Sequence, residues 1–333
     1  MIYASLLEIQ IMYRMSNNLK SILKDSMGAI YKLNPFLRYR IKNGLTIFVF
    51  HEVSDNPSEF TDNYGLTVSI SQFIDQITWI KNNFNIVDPA IVLTENSSLP
   101  SSAAIITFDD GFLGTFENGF PILKQFNIPI LMFLNMKPIL DRSPMLSALV
   151  CYLFKYNNDF KDFVKKYRVH SPYHLSINPN LLKKFLNEGH QINYDQINNF
   201  QGELVNQETL SKWDKEEIVN FSSHFFDHWN AAALSSTELE DQYILNENEL
   251  VNYSSYLNLL AFTNGKPNSC FNQENIKVLK DLGVTKLFSS VNGINKSYQS
   301  FLLGRLSINQ NDISTNHLWY RLGETSRKIN IVK

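Results

Sequence analysis

The chain has 333 residues, 44% of them hydrophobic and 19% charged, with a formal net charge of −2. That apolar share excludes wholesale disorder, a collagen-like fibre and a coiled-coil rod, and near-neutral charge argues against a protein built to coat nucleic acid. Two cysteines, Cys151 and Cys270, cannot build a disulfide scaffold, and no CxxC pair marks a zinc knuckle.

Residues 1–15 are apolar in places, but Glu8 and Gln10 interrupt them. No charged n-region or small-residue cleavage site frames the run, so cytoplasmic action is the expectation. No window approaches 18 uninterrupted apolar residues, so a spanning helix is not expected. Between Tyr31 and Lys42, Phe36 and Tyr39 alternate with Lys32, Arg38 and Arg40. Such an arm can rest on an anionic membrane surface, although a solvated helix face with a few packing aromatics is the favoured reading.

From Leu45 onward, short apolar runs alternate with helical patterns. Leu45 to Phe50 (LTIFVF) reads as a strand buried on both faces. Ser71 opens a helix with Phe73, Ile77, Ile80 and Phe84 on one side. Ala103 to Phe108 is a second strand, and Thr115 to Phe126 a helix with Pro121 at a kink or a late start. Ile128 to Leu134 is a third strand. Residues 137–215 break the rhythm with helical stretches, Met145 to Tyr156 and Asn180 to Leu186, and read as an insertion because strands resume afterwards. Ile218 to Ser222 is a strand, and Ser235 with Glu238 makes a capping box for a helix through Leu250. Leu257 to Phe262, Lys286 to Ser290 and Phe301 to Ile308 complete the strands, with a helix from Asn272 to Leu282 capped by Gly283. The alternation implies an α/β fold around a parallel sheet, open or closed into a barrel.

Three features carry chemistry. Asp109-Asp110-Gly111 follows a buried strand, where two adjacent carboxylates are costly unless a cation compensates them; Asp-Asp-Gly is also ordinary turn chemistry. His224 and His228 follow another strand, and on a helical turn residues four apart can reach one metal. Alone, such a pair is more often structural. Together, the two features would meet at the C-terminal rim of a parallel barrel and leave an open three-ligand site of Asp110, His224 and His228. His51 ends the first strand on the same rim and could serve as a general acid.

The residues Thr107 to Phe112 (TFDDGF), with Glu117-Asn118 and Pro121 to Lys124, resemble the first motif of the polysaccharide deacetylases of the NodB-homology type (carbohydrate esterase family 4). His224 to His228 is similar to the second motif, Phe262 to Asn268 (FTNGKPN) to the "YPxGxxN" loop, and Leu303-Gly304-Arg305 to the "LPR" strand. Phe50 to Ser54 (FHEVS) is similar to the "YHxV" start of the branch acting on poly-N-acetylglucosamine and related surface glycans. The resemblance implies a distorted (β/α)7-type barrel with an α-rich insertion on the active-site rim. It implies Asp109 as general base, Asp110, His224 and His228 as ligands of a divalent metal ion, taken as zinc, and His51 as acid. Arg305 would hold Asp109 ionised. The substrate implied is an acetylated glycan, with no nucleic acid partner. Phe225, Thr263 and Gly304 depart from the family's Ser/Thr, Pro and Pro, and its Arg-x-Pro-Tyr motif is missing.

The competing readings are a catalytically silent glycan-binding module and an O-acetyl esterase using the same site. The ligands bracket the 137–215 insertion, so one domain is expected: an arm over 1–44, a barrel over 45–310 and a tail over 311–333.

Overall fold

The computed structural model describes residues 17–94 and 98–325; the apolar opening run and the last eight residues of the expected tail lie outside them. Strands β1 (Leu45–Phe50), β2 (Ala103–Asp109), β3 (Ile130–Leu134), β4 (Val219–Ser223), β5 (Tyr256–Ala261), β6 (Lys286–Ser289) and β7 (Leu302–Gly304) lie side by side in chain order, all parallel. One residue further on, β8 (Leu306–Ser307) pairs in parallel with β1, placing Leu306 opposite Phe48. The sheet therefore closes as a distorted barrel, in which β7 and β8 are two halves of one strand broken at Arg305. The single strand expected over Phe301 to Ile308 is split because its ends serve different neighbours. The Arg305 N–H donates to the Ser289 carbonyl of β6, whereas the Ile308 N–H donates to the Val49 carbonyl of β1.

Successive side chains of a strand point to opposite faces. One alternating set, including Leu45, Ile47, Ala103, Ile105, Leu131, Phe133, Ala261, Phe288 and Leu303, fills the barrel interior as one apolar cluster. The other set, including Phe48, Phe50, Ile106, Phe108, Met132 and Phe221, packs outward against helices. Continuing the inward parity past the apolar plug brings Asp109, Arg305 and His224 to the same end of the barrel. The strand periodicity itself assembles the rim.

The chain leads in through helices α1 (Asn17–Leu33) and α2 (Pro35–Lys42), and α3 (Ile70–Asn83) covers β1 and β2. Helix α3 starts at Ile70, one residue ahead of the expected Ser71. Its cap is Ser69, whose hydroxyl accepts from the Gln72 N–H while the Gln72 side chain accepts from the Ser69 N–H. The helix expected from Thr115 begins as a π turn, Thr115–Gly119, and becomes α-helical only over Phe120–Gln125. Pro121 sits in the first turn of that α segment, where its missing N–H goes unneeded.

Within the 137–215 region, α4 (Leu146–Tyr156), α5 (Asn158–Lys165), α6 (Pro179–Asn187) and α7 (Tyr194–Gln201) share an apolar core that continues onto Phe225, Trp229, Leu260 and Phe262 of the barrel. Helix α8 (Ser236–Leu250) carries the Ser235–Glu238 capping box, and α9 (Gln273–Asp281) is followed by Gly283 at φ +89°. The region expected as a tail contributes α10 (Thr315–Thr325). Its Leu318, Trp319 and Leu322 are buried, and Trp319 packs edge-on to Trp79 of α3 at 5.4 Å.

Candidate metal and catalytic site

Asp109 is the last residue of β2 and points inward; Asp110 is the first residue beyond it. The chain turns there through two consecutive left-handed residues, Asp110 at φ +75° and Gly111 at φ +83°. Only glycine fits the second position easily, since a Cβ there would also lie 2.9 Å from the Leu134 side chain. The end of the insertion braces this turn: the Val205 N–H donates to the Gly111 carbonyl, and the Leu113 N–H to the Glu203 carbonyl.

His224 and His228 do not lie on a helical turn. They sit on an irregular loop after β4, bent by left-handed conformations at Phe225 (φ +62°) and His228 (φ +46°). A positive φ at a bulky residue costs of order 1–3 kcal/mol and persists only where the surroundings over-determine it. Here Phe225 is fully buried against Phe262, and the Asn135 amide donates to the carbonyls of both His224 and Phe225. Asn135 was not singled out from the sequence. Its signal is positional: it is the residue directly after β3, in the inward register.

The loop brings His228 Nε2 to 3.2 Å and His224 Nε2 to 3.5 Å from Asp110 Oδ1. Ligand atoms of these three buried residues lie within 4.8 Å of one another. Asp110 Oδ1 is shielded from solvent and has no hydrogen-bond partner. His224 Nδ1–H donates to the Ala261 carbonyl at 2.8 Å, which leaves Nε2 as the lone-pair nitrogen aimed at Asp110. A buried carboxylate oxygen with no donor, converging with two imidazole nitrogens, is a donor set that could hold a divalent cation. The residues fit the metal that the sequence motif implies.

Asp109 is set apart from this cluster by its partner. Arg305, buried at the break between β7 and β8, donates Nη1–H to Asp109 Oδ1 at 2.6 Å and Nη2–H to Oδ2 at 2.8 Å. The guanidinium also lies over the Phe133 ring at 5.2 Å. Burial opposes ionisation of Asp109, but Arg305, then His224 and His51, outweigh it and hold the carboxyl below its ordinary range. Burial likewise opposes ionisation of Asp110, and the facing His228, then His51 and His224, more than reverse it. Burial lowers His224 to about 4 despite Asp109, so it is neutral at ordinary pH. For His228, burial is outweighed by Asp110 and the shift is upward.

His51 follows β1 directly and lines the same cavity of about 590 Å³ as Asp109, Asp110, His224, His228 and Arg305. Its carbonyl accepts from the Thr115 hydroxyl at 2.6 Å. All six residues marked in the sequence thus meet at one opening. The insertion adds Ser147 and Tyr173 to the wall. Of the five tyrosines in the insertion, Tyr173 alone lines this cavity; Tyr156 and Tyr167 pack edge-on or tilted against Phe200 and Phe163.

The departures from the family pattern have local reasons. The Thr263 hydroxyl donates to the Trp229 carbonyl, tying the FTNGKPN loop to the histidine loop. The Gly304 N–H donates to Asn295 Oδ1 at 2.8 Å, a bond that proline could not make, and a Cβ there would lie 2.5 Å from the Val291 carbonyl oxygen.

No family model matches the chain. The poly-β-1,6-N-acetyl-D-glucosamine N-deacetylase of Staphylococcus aureus is 33% identical over 115 residues, which cover 34% of this chain and 38% of that protein. The chain thus spans little more than a third of the length of the curated relative it matches. Among solved structures, IcaB from Ammonifex degensii superposes over 84% of this chain and 97% of its own, with a TM-score of 0.56 at 15% identity. The Streptococcus pyogenes deacetylase PplD covers the same share of this chain and 98% of its own, with a TM-score of 0.57 at 14% identity. The chain thus shares its barrel fold with these two deacetylases and, over about a third of its length, is similar in sequence to the staphylococcal N-deacetylase.

Proposed function

We propose that the protein hydrolyses N-acetyl groups from sugars of a glycan, with poly-N-acetylglucosamine as the nearest chemical class. The observation that carries this reading is the pairing of two functions at one cavity. A three-residue donor set, Asp110–His224–His228, stands beside a separate carboxylate, Asp109, that Arg305 keeps ionised. The staphylococcal relative is named for removing N-acetyl groups from such a polymer.

Asp110 Oδ1, His224 Nε2 and His228 Nε2 would hold a divalent cation, which supplies Lewis acidity toward the acetyl carbonyl and the attacking water. The chain's own groups then move the protons. Asp109 accepts a proton from water as its oxygen attacks the carbonyl carbon. Arg305 fixes the carboxylate in place and in the ionised state at the moment it must accept. The C–N bond breaks as His51 donates a proton to the departing amine, releasing acetate and a free amino sugar. Neutral His224, locked by the Ala261 carbonyl, keeps its lone pair for the cation.

The direct test is acetate release from N-acetylated β-1,6-glucosamine oligomers by protein loaded with zinc, before and after a chelator. Chelator-sensitive release is expected. No release from the zinc-loaded protein would overturn the reading, and faster release from O-acetylated sugars would move the scissile bond to an ester. His228→Ala should leave less than one tenth of the bound metal, read by elemental analysis after dialysis; unchanged occupancy would remove His228 from the donor set. Asn135→Leu frees the two carbonyls that shape the histidine loop. It is expected to weaken zinc binding about 10–100-fold in a chelator competition, the usual size for an outer-shell support.

A further inference from the structure

The basic-aromatic arm is not packed as the composition of its sequence suggests. The inner face of α1 is anchored: the ring of Tyr31 packs with Tyr320 of α10 at 6.3 Å, and Gly28 lies so close to the backbone of Asn316 that a Cβ could not be accommodated. The outer face is left over. Leu19, Ile22, Ile30 and Leu33 recur along it at helical spacing, and Phe36 and Tyr39 of α2 extend the row. These six side chains are 49–78% exposed. Single exposed apolar residues are ordinary, but six within residues 19–39 on two successive helices are not.

The charge around this row is one-sided. Residues 17–42 hold six basic side chains (Lys20, Lys24, Lys32, Arg38, Arg40 and Lys42) against one acid, Asp25, in a chain of net charge −2. Among the described residues, none of the six forms an ion pair with a carboxylate. Arg38 sits over the buried Trp319 ring at 4.7 Å, and Arg40 stands 6.0 Å from the exposed Phe36 ring, so a cation borders the apolar row there. Apolar side chains bordered by unpaired cations complement a surface that is oily beneath and anionic on top. A second protein copy would bring the same six positive charges to face their own kind.

We infer that the outer face of α1 and α2 is a docking surface for an anionic lipid bilayer, with Leu33 and Phe36 entering the acyl boundary. The Lys42 carbonyl accepts from the Ser102 N–H just ahead of β2, so α2 lies at the N-terminal end of the barrel, away from the rim that carries Asp109. Docking by α2 leaves the cavity open to a polymer in solution.

Co-flotation of the full chain with vesicles tests this independently of any deacetylase activity. Vesicles of phosphatidylcholine and phosphatidylglycerol in equal parts should retain the protein about tenfold better than phosphatidylcholine alone. Leu33→Ser combined with Phe36→Ser should cut retention by at least about tenfold, with an unchanged melting temperature because both side chains are exposed. Lys32→Glu with Lys42→Glu should erase the preference for anionic vesicles. Absence of retention, equal retention on both vesicles, or an unaffected double-serine variant would each overturn the inference. A dimer that dissociates in the double-serine variant, with no vesicle binding, would assign the face to a second copy instead.

Discussion

Asp109→Asn is expected to cut acetate release by about 10³-fold while leaving the metal content and the fold largely intact. The reasoning is atomic. Asn keeps the size of the side chain and one acceptor oxygen for Arg305, but it cannot take a proton. The proposed donor set is Asp110, His224 and His228, and Asp109 Oδ2 stands 3.9 Å from His224 Nε2, outside hydrogen-bonding distance. Loss of turnover at constant metal content therefore separates the base from the ligands. Parallel loss of metal would show that Asp109 is a ligand, and retained turnover would show that the proton goes elsewhere.

Arg305→Met should act on stability and on pH dependence together. The replacement fills similar apolar space over Phe133 but leaves Asp109 buried without its cation, a change that costs about 3–5 kcal/mol for a buried pair. In the native protein the carboxyl of Asp109 is held low, so its contribution to stability is present above the ordinary carboxylate range and is lost as pH falls through its depressed value. Without Arg305, burial dominates and the sign reverses: the ionised form becomes a liability that acid relieves. The gap in melting temperature between native protein and variant should therefore narrow toward low pH, and the acid limb of kcat/KM should move to higher pH. A gap independent of pH, with an unmoved acid limb, would reduce Arg305 to a packing residue.

Much of the site was legible because strands impose a period of two. Asp109 and Arg305 belong to the inward sets of β2 and β7–β8, and the motif spacing fixed their neighbours. The strands themselves were hard to orient, because LTIFVF is buried on both faces and its hydropathy carries no alternation. Three things were hidden for physical reasons. His224 and His228 meet through left-handed residues at Phe225 and His228, a conformation that residue type disfavours and surrounding packing enforces. The break at Arg305 depends on which neighbours the last strand pairs with, a long-range property. The helix over residues 315–325 buries His317, Leu318, Trp319 and Leu322 because α1 and α3 lie beside it, partners that local sequence does not announce.

The split final strand ties the assembly of the site to the order in which the chain is made. Leu306 pairs with Phe48, so the last strand of the barrel must find the first across almost the whole barrel sequence, a contact of the slow, late-forming kind. Asp110, His224 and His228 are all synthesised well before Arg305. A chain ending before Arg305 would carry the three proposed ligands but lack the cation that faces Asp109. The strand that seals the seam is thus also the one that brings the Arg305 guanidinium to Asp109.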